Sequence, residues 1–554
     1  MVAVSLTTFS VRKVRSYRYG ELLFGLLTFE AAAFFLIRFA GSMQFDNFAF
    51  FDTGANLTQQ YLIRQGLRPT VDFAYIYGLL TLLAGRIWFG VFGLSPEACI
   101  AAVPVADLLL IWALVRLAKA LKLNLVGIFI LALTAPLTIP SNYLHLTHIV
   151  EPVLLGHALA YQARGNRGAA LALATACVFV KPSMAYLYGL ILLAFVLSDG
   201  LRRHALWQVL QQAIRPPAIA GLGIAAILVA FFGVLPVLNS TFPLGGIKIY
   251  SEGHFGFFQS GRLFWSPPGT SWLYYVTNVA GPWLTATLLL AGAGAVAGYR
   301  LLIGTGLQTT RARAEEIVLT CALLQLGFIC MFFGNQYSWT YYFYVLAIGL
   351  AAATVLSVPW KYLVALVAVS FPLVKVNKLL VERFVMPGTA SAAVSPKISP
   401  LFDASQGNGF TYRLWSSSAP DPQTAGLWST SQERAEWSEV LAKIRGHRTV
   451  LLEWFGCGDL LFPEFSPPVT ALLAPGASSI GDVNRKLAQL RSASMIVIPN
   501  WQISILDTSP AIGRQVRRDF EPTWKGDHFV VWSRRSDGAK LWRGSVASTA
   551  SAAG

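Results

Sequence analysis

Apolar residues run through this chain in blocks of near-spanning length, separated by short polar connections. A bilayer core about 30 Å thick takes about 20 helical residues to cross, and the blocks approach that length at Glu21–Ala40, Ala98–Ala118, Leu125–Asn142, Ile149–Gln162, Gly168–Val180, Ser183–Leu197, Pro217–Leu238, Trp272–Ala297, Glu316–Gly334, Trp339–Val358 and Tyr362–Val376. The pattern predicts a polytopic α-helical membrane protein of about 11 transmembrane helices. After Val376 the blocks stop. Residues 379–430 read as a linker rich in Pro and Ser, residues 431–535 as a small C-terminal α/β extracytoplasmic domain, and the Ser/Ala/Gly-rich residues 536–554 as a disordered tail.

In residues 431–535 the period shortens. Thr430 and Glu433 have capping-box spacing ahead of a helix to Ile444, and Ser479 with Asp482 repeats that signal ahead of a helix through Leu490. Thr449–Trp454, Val469–Leu473, Met495–Ile498 and His528–Trp532 read as strands.

Charge orients the spans. The chain is 55% hydrophobic and 13% charged with a net charge of +16, a balance that would raise nucleic acid as a partner if the cations shared one face. They do not: they sit in short clusters between apolar blocks, so no nucleic-acid partner is expected. With residues 1–20 cytoplasmic, Arg116/Lys119/Lys122, Arg164/Arg167, Arg202/Arg203/Arg215, Arg300/Arg311/Arg313 and Lys361 all fall on the inner side. That parity holds only if Ala74–Leu94, which contains Arg86, does not cross, so it is expected as an interfacial helix within the outer loop 41–97. It also requires the chain to cross and return, or at least re-enter, around Lys181–Pro182, so that this turn lies on the outer side or within the protein at membrane depth, and it puts the C-terminal domain outside, periplasmic or extracellular in a bacterial inner (plasma) membrane. Four of the five Cys lie in apolar blocks and Cys457 stands apart, giving neither a disulfide framework nor a zinc spacing.

Ionisable groups beside membrane helices are costly and mark functional candidates. The first outer loop holds Asp46, Asp52 and Asp72. Its stretch Asp52-Thr53, Gly66, Pro69-Thr70-Val71-Asp72-Phe73 and Gly78 resembles the first outer loop of GT-C fold membrane glycosyltransferases, the protein-mannosyltransferase-like and lipopolysaccharide-glycosyltransferase-like branch. The segments VFVKPSMAY (178–186) and GNQYSWTYYFYVLAIGLAAA (334–353) look like that family's short helix pair with a Lys near the lipid phosphate and its aromatic entry to a late helix. The resemblance implies a GT-C-like domain over residues 21–378 that transfers a sugar from a polyprenyl-phosphate donor to a glycan, lipid or protein acceptor, with inversion and with Asp52 as the catalytic carboxylate. Thr53 departs from it, since the family usually has Glu there, which leaves a metal unknown: a divalent cation is compatible with the sequence and not required by it.

The chemistry of such a transfer needs a base for the acceptor hydroxyl and cations at the departing phosphate. Asp52 fits the first role, and Lys181 and Arg262 the second; snorkelling is the plain alternative for Lys181. Asp72 reads as a loop organiser bonding backbone amides after Pro69. His145, His148 and Glu151 share a helical face, open to three readings: metal ligation, hydrogen bonding to sugar or phosphate, or an ordinary polar cap. Tyr250 and Glu252, with Arg262, suit a sugar and its phosphate, against the alternative of an aromatic membrane belt. Two other classes compete: a transporter or flippase, which should carry charge pairs deep in several helices, and an envelope scaffold binding through its C-terminal domain.

Overall fold

The computed structural model describes residues 19–33, 52–138, 146–241, 281–303, 309–332, 343–356, 431–454, 456–473 and 479–535. Up to residue 356 these are helical: α1 (19–33), α2 (Asp52–Arg64), α3 (Leu79–Phe92), α4 (Pro96–Leu121), α5 (Leu125–Thr138), α6 (Leu146–Ala163), α7 (Arg167–Val178), α8 (Pro182–Arg202), α9 (Leu206–Phe232), α10 (Val234–Ser240), α11 (Gly281–Ile303), α12 (Thr310–Phe332) and α13 (Phe343–Ala353). Among the described residues four helices are long and apolar enough to cross a membrane: Ala101–Leu121, Met184–Arg202, Leu206–Phe232 and Ala286–Ile303. The last expected span, Tyr362–Val376, lies outside the described residues.

Local sequence sets the helix ends. Ser95 accepts a hydrogen bond from the Ala98 amide with Pro96 at the first helical position, so α4 starts there. Asn166 caps α7 through the Ala169 amide. Pro182 disfavours a helical conformation at Lys181, which is extended (φ −150°, ψ 109°) and separates α7 from α8. The expected span from Pro217 instead begins at Leu206, runs through Pro216 and Pro217, and stops at Gly233 (φ 88°). The hydropathy pattern misses its first turns because Gln208, Gln211 and Gln212 dilute them.

The helical core is built on small side chains. Ala347, Ala351, Ala352 and Ala353 of α13 are fully buried, and a Cβ on Gly349 would stand 2.7 Å from Cys321 Cβ and from a Leu290 methyl. Small residues let helix backbones approach where lipid offers no hydrophobic drive to pack. Conversely, α9 exposes Trp207, Ile219, Leu222 and Phe231, a face suited to hydrocarbon. This is an integral membrane protein.

One end of the bundle gathers its cations. Arg167, opening α7, pairs with Asp199 near the end of α8 and with Glu316 of α12. Arg203 reaches the same Asp199, while Arg300 and Arg311 reach Glu315, and Arg202 donates to the Leu301 carbonyl. The α7–α8 pair therefore returns to the end from which it started.

Residues 431–535 form a mixed α/β unit: α14 (Ser431–Ile444), β1 (Thr449–Leu451), α15 (Gly458–Leu461), α16 (Ile480–Ser492), β2 (Met495–Pro499), α17 (Ile505–Thr508), α18 (Pro510–Asp519), β3 (Phe520–Lys525) and β4 (Phe529–Arg534). The sheet order is β1-β2-β4-β3, with β1 parallel to β2 and the other pairs antiparallel. Trp437 of α14 is wholly buried against Phe462, Phe465 and Phe529. Two expectations change. Val469–Leu473 is not a strand: the Val469 carbonyl accepts from Arg485 and the Leu473 amide donates to Trp454, so this backbone is satisfied without a ladder. Phe520–Lys525, read from the sequence as no element, is β3, its alternation interrupted by Pro522 and an irregular register beside it.

Candidate functional site

Lys181 is held at the α7–α8 turn by a local bond, its amide donating to the Cys177 carbonyl at 2.8 Å. Its Nζ lies 3.6 Å from Glu151 Oε2, and both side chains are almost fully buried, at 6% and 2% exposure. Burying two opposite charges is tolerable only when they face each other. Glu151 comes from α6, and Cys177 and Tyr344 lie within electrostatic reach of it. Two of the sequence-predicted residues, Lys181 and Glu151, are thus brought together, and Tyr344 belongs to the first turn of α13.

The first loop is tied to this pair through its backbone. The Gly78 amide donates to the Val180 carbonyl and the Leu80 amide to the Phe179 carbonyl, both at 2.9 Å. Gly78 is required by this approach, because a Cβ there would sit 2.0 Å from Phe179 O. Asp52 is the first residue of α2. Just over one turn on, Asn56 accepts a hydrogen bond from the Leu146 amide, at the start of the helix that carries Glu151. Of Asp52 and His148 only the backbone is described, and Asp46, His145, Tyr250, Glu252 and Arg262 lie outside the described residues.

Asp72 takes a position of its own. Its Oδ2 accepts from the Arg68 amide (2.8 Å) and from Arg68 Nε (3.1 Å), so the amide it caps precedes Pro69. These bonds, outweighing its partial burial, hold the carboxyl below the usual range.

Around the loop lies a set of buried polar side chains that the sequence analysis passed over. Asn56, Gln59, Gln60, Thr81 and Thr147 are all below a tenth exposed. Gln60 donates to the Leu82 carbonyl at 2.9 Å. The Tyr75 hydroxyl lies near those of Thr81 and Thr147 yet makes no aligned hydrogen bond in this arrangement. The available signal was that α2 carries Asn56, Thr58, Gln59 and Gln60 in a short run among its Leu and Ile, polar groups that a buried helix must satisfy with partners.

A second buried polar group lies in the C-terminal unit. Glu453, Asp459 and Lys486 are enclosed together, with Lys486 Nζ donating to the Leu451 carbonyl at 3.3 Å. Burial pushes the Asp459 carboxyl up to about 7, and raises Glu453, with Asp459 beside it adding to the effect; burial lowers Lys486. Among the described residues no group of three or more His, Cys, Asp or Glu is placed to hold a metal ion, and the His145/His148/Glu151 reading rests on side chains outside them.

The C-terminal unit docks on the first loop. Asp482, fully buried, accepts from the Ala74 amide (2.8 Å) and from Ser479 in the capping box, and its other oxygen accepts from Arg485 (2.7 Å). The Thr58 hydroxyl donates to the Gly456 carbonyl. One apolar cluster runs through Leu57, Phe89, Cys99 and Ala102 into Trp437, Val440, Cys457 and Phe462.

No family model matches the chain, and no curated protein does. Among solved structures it is similar to the crystal structure of ArnT from Cupriavidus metallidurans bound to undecaprenyl phosphate, with 13% identity and a TM-score of 0.47 over 93% of this chain and 98% of that one.

Proposed function

We propose that this protein is an integral membrane glycosyltransferase that moves a sugar from a polyprenyl-phosphate donor to a glycan, lipid or protein acceptor on the outer membrane face, with inversion at the sugar. The observation that supports the reading is the buried Lys181–Glu151 pair, whose helix turn is bonded through Val180 to Gly78 of the first outer loop. The Lys181–Glu151 pair is neutral overall and forms a fixed dipole; its ammonium end, held in place, is the group that would stabilise charge developing on a departing phosphate without reorganising. Asp52 takes the proton of the acceptor hydroxyl as general base. Arg262 is the second cation for the phosphate, with Tyr250 and Glu252 on the sugar. The donor class is the one implied by the first-loop resemblance, and the gathered cations of Arg167, Arg202 and Arg300 mark the cytoplasmic end.

The test is transfer by the purified protein from a panel of polyprenyl-phosphate sugars, with and without chelator, for wild type and Asp52→Asn. Expected is transfer from at least one donor, lowered about 10²–10⁴-fold in Asp52→Asn, the usual contribution of a positioned base. Full activity in the variant removes Asp52 from the mechanism, and failure with every donor, where a control enzyme works, overturns the reading.

A further inference from the structure

One face of α4 is exposed along its membrane span. Val105, Leu108, Leu109 and Trp112 are each more than two-fifths exposed and stand at i, i+3, i+4 and i+7, so they form a single apolar stripe within Ala101–Leu121. The stripe rises about 10 Å along the helix, at about 1.5 Å per residue. Arg116, one turn beyond Trp112, continues it.

Aromatic rings bracket the Arg116 guanidinium. Its Cζ lies 5.3 Å from the centre of the Trp112 ring and 4.4 Å from that of Tyr161 on α6. Its Nη1 donates to Nδ1 of His157, also on α6, at 3.3 Å, and His157 stands edge-on to Trp112 with ring centres 5.2 Å apart. The two helices are in close contact beside these residues, since a Cβ on Gly156 would stand 2.7 Å from a Leu110 methyl. None of these partners is an anion. Arg167 has its charge met by Asp199 and Glu316, whereas among the described residues no carboxylate pairs with Arg116. Ring faces attract a cation but accept none of the N–H groups in its plane. Beside hydrocarbon, that charge calls for an anion.

We propose that Arg116, Trp112, His157 and Tyr161 bind the phosphate of an anionic glycerophospholipid, with an acyl chain lying along the stripe from Val105 to Trp112. The guanidinium bonds the phosphate oxygens through the N–H groups in its plane, which the rings leave uncovered. The depth agrees with this: Arg116 lies about 8 Å short of the end of α4 at Leu121, and the headgroup layer is about 5–8 Å thick on each side of the bilayer core. A zwitterionic headgroup would bring its own ammonium beside Arg116, where no carboxylate receives it, so the anionic class is the one that fits. A lipid seated there clasps α4 to α6, the helix that carries Glu151.

The test is native mass spectrometry of the full chain in detergent, titrated with phosphatidylglycerol or phosphatidylcholine. Expected is a preference for phosphatidylglycerol that Arg116→Gln lowers about tenfold, the scale of one lost charged hydrogen bond. Arg215→Gln, which removes an exposed cation from α9, should leave the preference unchanged. Equal loss in both variants, or none in Arg116→Gln, overturns the proposal. Inorganic phosphate should not displace the lipid, because it offers nothing to the apolar stripe; displacement by it overturns the lipid as the occupant. A second measurement keeps Arg116 in place and does not depend on how its variant folds. With p-benzoylphenylalanine at position 108 of an otherwise unchanged chain, irradiation in native membranes should yield adducts enriched in anionic phospholipid over its share of the membrane. Adducts in the bulk lipid ratio, or to another polypeptide, overturn the proposal.

Discussion

The Lys181 ammonium lies 3.6 Å from a Glu151 carboxylate oxygen, across the gap between the α7–α8 turn and α6. Removing either partner of such a pair leaves an uncompensated buried charge and costs about 3–5 kcal/mol, whereas replacing both by apolar groups of similar volume is often neutral. Glu151→Ala should therefore lower the melting temperature in detergent markedly, and Lys181→Met/Glu151→Leu should restore it. The restored protein should still lose about 10²–10³-fold in transfer, the scale of a missing preorganised charge. Wild-type transfer in the double variant would take Lys181 away from the phosphate.

Gly78 and Gly66 offer a matched pair. A Cβ on Gly78 meets the Phe179 carbonyl at 2.0 Å, and that carbonyl belongs to a backbone that cannot step aside without moving Lys181. Gly78→Ala should cost about 1–3 kcal/mol, as overpacking does, and abolish most transfer. Gly66 has φ 83° but open space around it, so Gly66→Ala should cost about 1–2 kcal/mol of left-handed strain and leave transfer near wild type. Thermal unfolding and transfer measured on both variants check the contrast.

Asp482 is shared between two tasks, capping α16 and accepting the Ala74 amide of the first loop. Asp482→Ala leaves the buried Ala74 amide without its acceptor, at about 1–3 kcal/mol, in addition to about 1 kcal/mol for the lost cap. Limited proteolysis should release residues 431–535 faster. Ser479→Ala weakens the cap alone and should leave release much slower than in Asp482→Ala.

The enclosed acids of the C-terminal unit make its stability depend on pH. Asp459 moves from an ordinary 3.8 to about 7 on burial, so over that window the folded state holds a proton that the unfolded chain gives up. Stability from this group is full below about pH 4 and falls until about pH 7. Glu453 shifts in the same direction, while Lys486, lowered by burial, acts in the opposite sense. The unfolding midpoint should drop as pH rises from about 5 to about 7.5, and Asp459→Asn should flatten much of that drop. An unchanged slope in the variant would assign it elsewhere.

Much of this was legible along the chain, because its signals are local. Apolar run length marks the helices, Pro182 fixes the break at Lys181, and the Ser479/Asp482 spacing gives the capping box of α16. What failed locally also has local causes: Pro522 disguises β3, and the Val469–Leu473 run looks like a strand although its backbone bonds lead elsewhere. Hydropathy cannot reveal which buried polar groups meet, since burial of Glu151 is tolerable only opposite a cation more than one helix away. The sequence by itself therefore determined the membrane class, the break before Pro182 and the capping box of α16. Tertiary structure alone decided that Lys181 faces Glu151, that Gly78 is needed for contact and not for conformation, and that Asp482 reaches the first loop. These are close approaches between segments far apart in the chain, and no pattern of nearest neighbours encodes them.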